Sequence, residues 1–261
     1  MGVGLAGILI LFAVLSGLAK VGFGFGAGMI LNPILTLFVS SATATTLLAP
    51  ILWFSNFTGA RVHRASIQWG LIARMLPMAL TGTLFGSIIL AYVDDHILKP
   101  AIGISAIMMG VMLIASRKRK DRAKNREATA DLADNSPLQE KSTKKTVLYQ
   151  LGALASGFVG AAANSGGLPL IVLFLHDSSF SKKQFTANIA MLLAVMDSIK
   201  IVSYLVLGTL SIQNLLLVLL FIPFIYAGGF AGKWLNEKIS ETSFLIVVHS
   251  IIFITGILLL Y

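Results

Sequence analysis

The chain contains no cysteine, and few of its residues carry a charge. The absence of cysteine excludes disulfides, thiolate metal sites and thiol chemistry. Only 12% of the 261 residues are Asp, Glu, Lys or Arg, about half of the fraction that is usual in a soluble domain. Enzyme signatures are missing too, since the chain has neither an H-E-x-x-H metal motif nor a G-x-S-x-G nucleophile motif. We therefore predict no enzyme, no metal site and no cofactor.

Charge is missing altogether from long apolar stretches, among them residues 21–60, 75–93, 100–116 and 201–232. A helix of about 20 residues crosses the hydrocarbon layer of a bilayer. The strands of a membrane barrel would alternate polar and apolar residues, and these stretches do not. The sequence therefore predicts an all-α, multi-pass membrane protein that is surrounded by lipid.

One polar, basic segment, residues 116–146, divides the chain. It holds ten of the twenty basic residues, and no aromatic residue interleaves with them, so we predict no nucleic-acid partner. The positive-inside rule places such a segment in the cytoplasm. The predicted organisation is an N-terminal transmembrane repeat (1–115), a cytoplasmic loop (116–146) and a C-terminal transmembrane repeat (147–261).

The two sides of this loop can be aligned on landmarks that keep their order. The offset between matching positions drifts only from 140 to 146 residues, which predicts an internal repeat of about one hundred residues. The landmarks are Ser16-Gly17-Leu18 with Ser156-Gly157-Phe158, "ATATTLLA" (42–49) with "ANIAMLLA" (187–194), Ser66-Ile67-Gln68 with Ser211-Ile212-Gln213, Pro77, Gly82 and Gly86 with Pro223, Gly228 and Gly232, and Gly110 with Gly256.

Each repeat contains about five apolar segments. They are 3–20, 27–39, 43–62, 69–92 and 96–115 in the first repeat, and 147–162, 167–176, 187–208, 213–233 and 242–260 in the second. An odd number of crossings makes the repeats inverted, with both chain ends on the side away from the cytoplasm. The distribution of the basic residues agrees with this orientation, because among those near the ends of the segments only Lys99 falls on the side away from the cytoplasm. Those on the cytoplasmic side are Arg61, Arg64, Lys182, Lys183, Lys233 and Lys238.

The second segment of each repeat is too short to cross a bilayer. Residues 167–176 supply roughly 15 Å of helix, half of the hydrocarbon thickness. The preceding turns, "GFGFGAG" (22–28) and "AAANSGG" (161–167), cannot meet lipid because their backbone polar groups would be unsatisfied. We expect two broken, half-helix hairpins that meet near the midplane; whether 3–39 and 147–176 cross fully or re-enter stays open.

The motifs of these segments resemble those of the sulfite exporter TauE/SafE family. They are "GFGFGAGMILNP" (22–33), "GGLPLIVLFL" (166–175) and "KKQFTANIAMLLAVMDSIKIVSYLVLG" (182–208), and the resemblance extends over nearly the whole chain outside the loop. It implies a transporter of the bacterial cytoplasmic membrane for sulfite, sulfoacetate or related sulfonates. Export, rather than import, is implied by the resemblance alone.

A half-helix that begins at the midplane points its free N–H groups at the centre of the protein. That end carries a partial positive charge and favours an anion. Gly26, Gly28, Gly166 and Gly167 would let the backbone approach the substrate closely. The alternative is that these glycines only allow helices to pack.

Charged residues inside membrane segments are costly and therefore informative. Lys200 lies thirteen residues into segment 187–208 and is the strongest candidate for the cation that meets the substrate. Asp197 lies one turn earlier, where it would neutralise Lys200, take up a coupling proton, or do both. The coupling ion is left open between a proton and sodium. Lys20 either joins the site or reaches the cytoplasmic interface.

Uncharged polar residues complete the predicted substrate site. Asn164 and Ser165 lie in the second turn, Asn32 on the first half-helix, and Asn56 and Asn188 on the third segments. Each asparagine would otherwise bridge helices, the commoner use of Asn in membranes, although the loop position of Asn164 favours ligand contact.

We therefore predict a transporter that works by alternating access on a small anionic substrate. An anion channel, or a transporter of another small organic anion, is the alternative. The oligomeric state is left open.

Overall fold

The computed structural model describes residues 7, 10–18, 27–108, 110–111, 142–175, 180–238, 250 and 253–260. This part of the chain is helical and contains no strand, so the predicted all-α class is confirmed for it. The helices are α1 (10–18), α2 (Ala27–Thr36), α3 (Ser41–Val62), α4 (Trp69–Tyr92), α5 (95–108), α6 (Ser142–Ala163), α7 (Gly167–Leu175), α8 (Lys182–Val206), α9 (Ile212–Leu219), α10 (Ile222–Lys238) and α11 (253–258).

Four stretches in the described part are long and apolar enough to cross a membrane. They are Trp69–Tyr92, Lys145–Ala163, Lys183–Val206 and Ile212–Ala231. Large apolar side chains cover the outside of these helices, as lipid contact requires; Phe85 on α4 is 61% exposed and Phe230 on α10 is 77% exposed. The protein is therefore a multi-pass membrane protein.

The two short segments predicted by the sequence are short in the structure as well. Helix α2 has 10 residues and α7 has 9, which gives roughly 15 Å and 13 Å of helix. Helices of these lengths would cover about half of the thickness of the hydrocarbon layer.

The predicted segment 213–233 differs from the structure, because two helices, α9 and α10, share it. Helix α9 ends at Leu219, and a turn at residues 220–221 leads into α10. Pro223 has no amide hydrogen to donate to the Leu219 carbonyl, so the helical ladder is interrupted at this point. The predicted segment 242–260 lies mostly outside the described residues.

Helices α4 and α6 touch backbone to backbone at glycines. A Cβ atom added to Gly157 would lie 2.0 Å from the carbonyl oxygen of Ala79, and one added to Gly82 would lie 2.1 Å from that of Leu154. No side chain fits at either position. The fourth helix before the loop therefore packs directly on the first helix after it.

Helices α1 and α10 make the corresponding contact. A Cβ atom on Gly17 would lie 1.9 Å from the carbonyl oxygen of Ile225, and one on Gly228 would lie 1.9 Å from that of Val14. Gly17 is the sequence counterpart of Gly157, and Gly228 is the counterpart of Gly82. The same glycine contact thus occurs twice, each time between helices from opposite sides of the loop.

Helices α3 and α8 cross in the middle of the molecule. The indole Nε1 of Trp53 on α3 donates a hydrogen bond to Ser198 Oγ on α8, at 2.7 Å. Helices α2 and α7 lie beside this crossing, so the two short helices and the two central long ones surround a common interior.

Candidate functional site

The turn between α6 and α7 is buried in this interior. Asn164 is 6% exposed and Ser165 is 1% exposed. Asn164 has a φ of 53°, a left-handed conformation that Asn adopts more readily than most residues. Its backbone N–H donates a hydrogen bond to the Gly160 carbonyl at 3.0 Å. This bond forms an αL cap that ends α6, and the chain then turns into α7.

The side chain of Asn164 connects elements from both sides of the loop. Its Oδ1 accepts a hydrogen bond from Lys200 Nζ at 2.7 Å. Its Nδ2 lies 3.2 Å from Asn32 Oδ1 and 3.0 Å from the Thr45 carbonyl oxygen, and donates to both. Asn32 Nδ2 in turn donates to the Ala163 carbonyl at 3.0 Å. Helices α2, α3, α6 and α8 therefore meet at one buried amide.

Lys200 forms a buried ion pair with Asp197. The distance from Lys200 Nζ to Asp197 Oδ1 is 2.6 Å, and the two side chains are 2% and 7% exposed. Asn56 Nδ2 donates to the other carboxylate oxygen, Oδ2, at 2.8 Å. The ammonium group has three N–H donors, and its acceptors are Asp197, Asn164 and, at 3.4 Å, the Gly160 carbonyl. Both charges are paired and hydrogen-bonded, as burial demands.

A cavity of about 40 Å³ adjoins this ion pair, which is space for one or a few water-sized groups. Helix α7 begins at its wall, and the first N–H groups of a helix have no intrahelical acceptors. The lining residues come from α2, α3, α8 and the α6–α7 turn region. They are Ala27, Gly28, Met29, Leu52, Ser55, Asn56, Gly160, Asn164, Gly166, Gly167, Leu193, Asp197 and Lys200.

The model of one protein family, described as "Sulfite exporter TauE/SafE", matches residues 9–259. The chain belongs to this family. TauE/SafE membership implies a membrane transporter of sulfur anions, and the resemblance noted in the sequence is thereby confirmed. Comparisons with curated proteins and with solved structures gave no match.

Seven of the predicted site residues line the cavity of this TauE/SafE protein. Helix α2 packs tightly on the α6–α7 turn and on the start of α7, since a Cβ on Gly28 would lie 2.6 Å from the Asn164 carbonyl oxygen, and one on Gly167 would lie 2.4 Å from Met29 Cε. The seven residues are Gly28, Asn56, Asn164, Gly166, Gly167, Asp197 and Lys200.

The other predicted site residues lie elsewhere. Asn32 is fully buried next to the cavity and reaches it only through Asn164. Ser165 donates to the Ala163 carbonyl at 3.1 Å and does not line the cavity. Asn188 bridges α8 to the start of α4. Its Nδ2 donates to the side-chain Oε1 of Gln68 at 3.2 Å, and its Oδ1 accepts from the backbone N–H of Gln68 at 2.9 Å. Lys20 and Gly26 are outside the described residues.

Sequence reasoning missed several residues that line the cavity, among them Ser55 and Met29. Helical spacing offered a signal for part of this set. Leu52, Ser55 and Asn56 fall on one face of α3, as Leu193, Asp197 and Lys200 do on α8. Met29 had no such signal, because only the packing of α2 against Gly167 places it here.

Proposed function

We propose that this TauE/SafE protein transports a small sulfur oxyanion, such as sulfite or a short sulfonate, through the central cavity. The observation that carries the proposal is the position of Lys200. Among the described residues that line the cavity it is the one cation, and it is 2% exposed in a membrane-spanning helix. Buried ionisable residues within membrane helices mark substrate pathways.

The surroundings of Lys200 suit an anion with three oxygens. Helix α7 begins at the cavity with Gly166 and Gly167, where backbone N–H groups and the helix dipole favour negative charge. The side-chain amide of Asn164 supplies a further donor once its present acceptors give way. The cavity accommodates a compact group rather than a long chain, which supports sulfite and short sulfonates as substrates.

We infer that the two sides of the loop form inverted repeats that rock against each other in alternating access. The duplicated glycine contacts, α1 with α10 and α4 with α6, support this inference, because each pairs the first apolar segment of one side with the fourth apolar segment of the other. In this rocking motion, the broken hairpins and the crossing of α3 and α8 would move around the bound anion.

The proposed setting is the bacterial cytoplasmic membrane, with residues 116–146 in the cytoplasm. The distribution of Lys and Arg supports this orientation. Trp69 and Tyr92, at the two ends of α4, are 59% and 77% exposed, as expected for aromatic residues at both interfaces of a bilayer.

The test is anion binding by Lys200→Ala. Purified wild-type protein should be stabilised against heating by sulfite and by methanesulfonate, and the variant should bind roughly 10- to 100-fold more weakly, since it loses a charge-assisted hydrogen bond. Lys99→Ala is the matched control, because the Lys99 side chain is 43% exposed and pairs with Asp95.

A second variant separates binding from stability, because Lys200→Ala leaves Asp197 buried without its cation. Asp197→Asn breaks the same ion pair but keeps the cation, so it should still bind the anions. Wild-type affinity for both anions in Lys200→Ala would refute the proposal.

A further inference from the structure

The charged groups at the cavity sum to zero. Lys200 contributes one positive charge and Asp197 one negative charge, and the other residues that line the described cavity are neutral. One more titratable group lies nearby on α8, Tyr204, which is fully buried and donates its hydroxyl to the Ala161 carbonyl. The described residues of the site are therefore electrically balanced.

An anion cannot enter this site without disturbing that balance. The cation that would receive it already holds a carboxylate at 2.6 Å. A monovalent anion added beside Asp197 would leave one uncompensated negative charge in the interior of a membrane protein, which is strongly unfavourable. A compensating positive charge must therefore accompany the anion.

We propose that Asp197 takes up a proton whenever the anion binds, so that the anion and the proton cross the membrane together. This inference rests on the function proposed above and identifies the coupling ion. The proton comes from the aqueous side to which the cavity is open, and it forms an O–H bond at Asp197 Oδ1. Lys200 keeps its charge and redirects an N–H group from Oδ1 to the anion.

The hydrogen bonds of Asp197 assign the proton to one oxygen. Oδ2 accepts from Asn56 Nδ2 at 2.8 Å, and a carboxylic acid can accept that bond through its carbonyl oxygen. Oδ1 contacts Lys200, the partner that turns to the anion, at 2.6 Å. On the opposite side of the membrane the anion departs, the proton returns to water, and the ion pair closes again.

The decisive experiment uses the wild-type full chain in liposomes that contain a pH-sensitive dye. Methanesulfonate is the probe, because it stays ionised at neutral pH and carries no proton of its own. We expect one proton to move in the same direction as each anion, a proton gradient to drive accumulation, and an imposed membrane potential to leave the flux unchanged.

Two results would overturn the inference. One is methanesulfonate flux that follows the membrane potential without any change of internal pH. The other is flux driven by a sodium gradient at fixed pH. If neither methanesulfonate nor radiolabelled sulfite moves at any pH, the proposed function itself fails, so the two failures are distinguishable.

Variants locate the proton. Asp197→Asn mimics the protonated acid, so it should still exchange anion for anion while the accompanying proton movement and the pH dependence disappear. Asp94→Asn is the control, because Asp94 is exposed between α4 and α5, and it should behave like wild type. Proton movement with the anion in Asp197→Asn would place the coupling site elsewhere and refute the assignment.

Discussion

At the scale of single residues, Lys200 shows what a buried charge in a membrane helix requires. Its ammonium group is satisfied by a carboxylate, a side-chain amide and a backbone carbonyl, which come from α8, the α6–α7 turn and α6. A sequence reveals such a lysine, because it interrupts a long apolar run. The amide that holds it, Asn164, lies 36 positions away. That partnership depends on tertiary packing, and the sequence predicts only that Asn164 belongs to the same site.

Asn164 combines a left-handed backbone with a shared side chain, and the two roles can be separated. Asn164→Gly removes the bonds to Lys200, Asn32 and Thr45 but keeps a residue that tolerates a φ of 53°. Asn164→Ala removes the same bonds and adds strain of roughly 1–2 kcal/mol. We expect both variants to melt below wild type, and Asn164→Ala to melt ~2–8 °C below Asn164→Gly in detergent. Equal melting temperatures for the two would mean that the backbone conformation contributes nothing.

The prediction for Asn188 illustrates a limit of reading residue types. Asparagine in a membrane helix either binds a ligand or joins helices, and the sequence pattern is the same for both. In the structure, the Nδ2 and Oδ1 atoms of Asn188 both form hydrogen bonds with Gln68, the residue that precedes α4. Only the fold distinguishes such a bridge from the cavity residues Asn56 and Asn164.

At the scale of helices, glycine determines which pairs approach most closely. Gly157 on α6 and Gly17 on α1 would each place a Cβ atom about 2 Å or less from a carbonyl oxygen of the facing helix. Contacts of this kind let backbones meet in a membrane, where packing rather than the hydrophobic effect drives helix association.

Substitution of these glycines should therefore be severe and similar on both sides of the loop. We expect Gly157→Ala and Gly17→Ala each to cost at least about 1–3 kcal/mol through overpacking, and to lower the yield of folded protein. Gly70→Ala on α4 is the matched control, because nothing lies within 4 Å of the added atom. Size-exclusion profiles and melting temperatures measure the outcome. A large loss for one glycine and none for its counterpart would argue against equivalent halves.

Proline shows why element boundaries were only partly predictable. Pro77 and Pro223 occupy aligned positions in the sequence repeat. Helix α4 continues through Pro77, whereas α9 stops just before Pro223. A proline removes one hydrogen bond wherever it occurs, but the packing around the helix decides whether the axis continues. The short helices α2 and α7 were easier to predict, because glycines and loop residues in the sequence mark where each apolar segment begins and ends.

At the scale of the whole molecule, we expect transport not to depend on the loop. Residues 117–141, which lie outside the described residues, contribute basic charge. The described residues that line the cavity come from other parts of the chain. We expect a variant in which a short Gly/Ser linker replaces 117–141 to transport methanesulfonate and sulfite at rates within about twofold of wild type, because such linkers are flexible and tolerated at surfaces. Rates in liposomes, normalised to the amount of folded protein, measure this. Abolished transport would instead indicate that the loop recruits or completes part of the machinery.

The paired glycine contacts also bear on how the polypeptide is assembled. The close partner of α4 is α6, and the close partner of α1 is α10, so each helix made early waits for one that is synthesised after the loop. During biogenesis we expect Gly82 of α4 to meet α6 soon after the loop is made, whereas Gly17 of α1 faces lipid or an insertase until α10 is synthesised. Neither side of the loop can complete its close glycine contacts by itself, so the order of synthesis separates the two contacts in time.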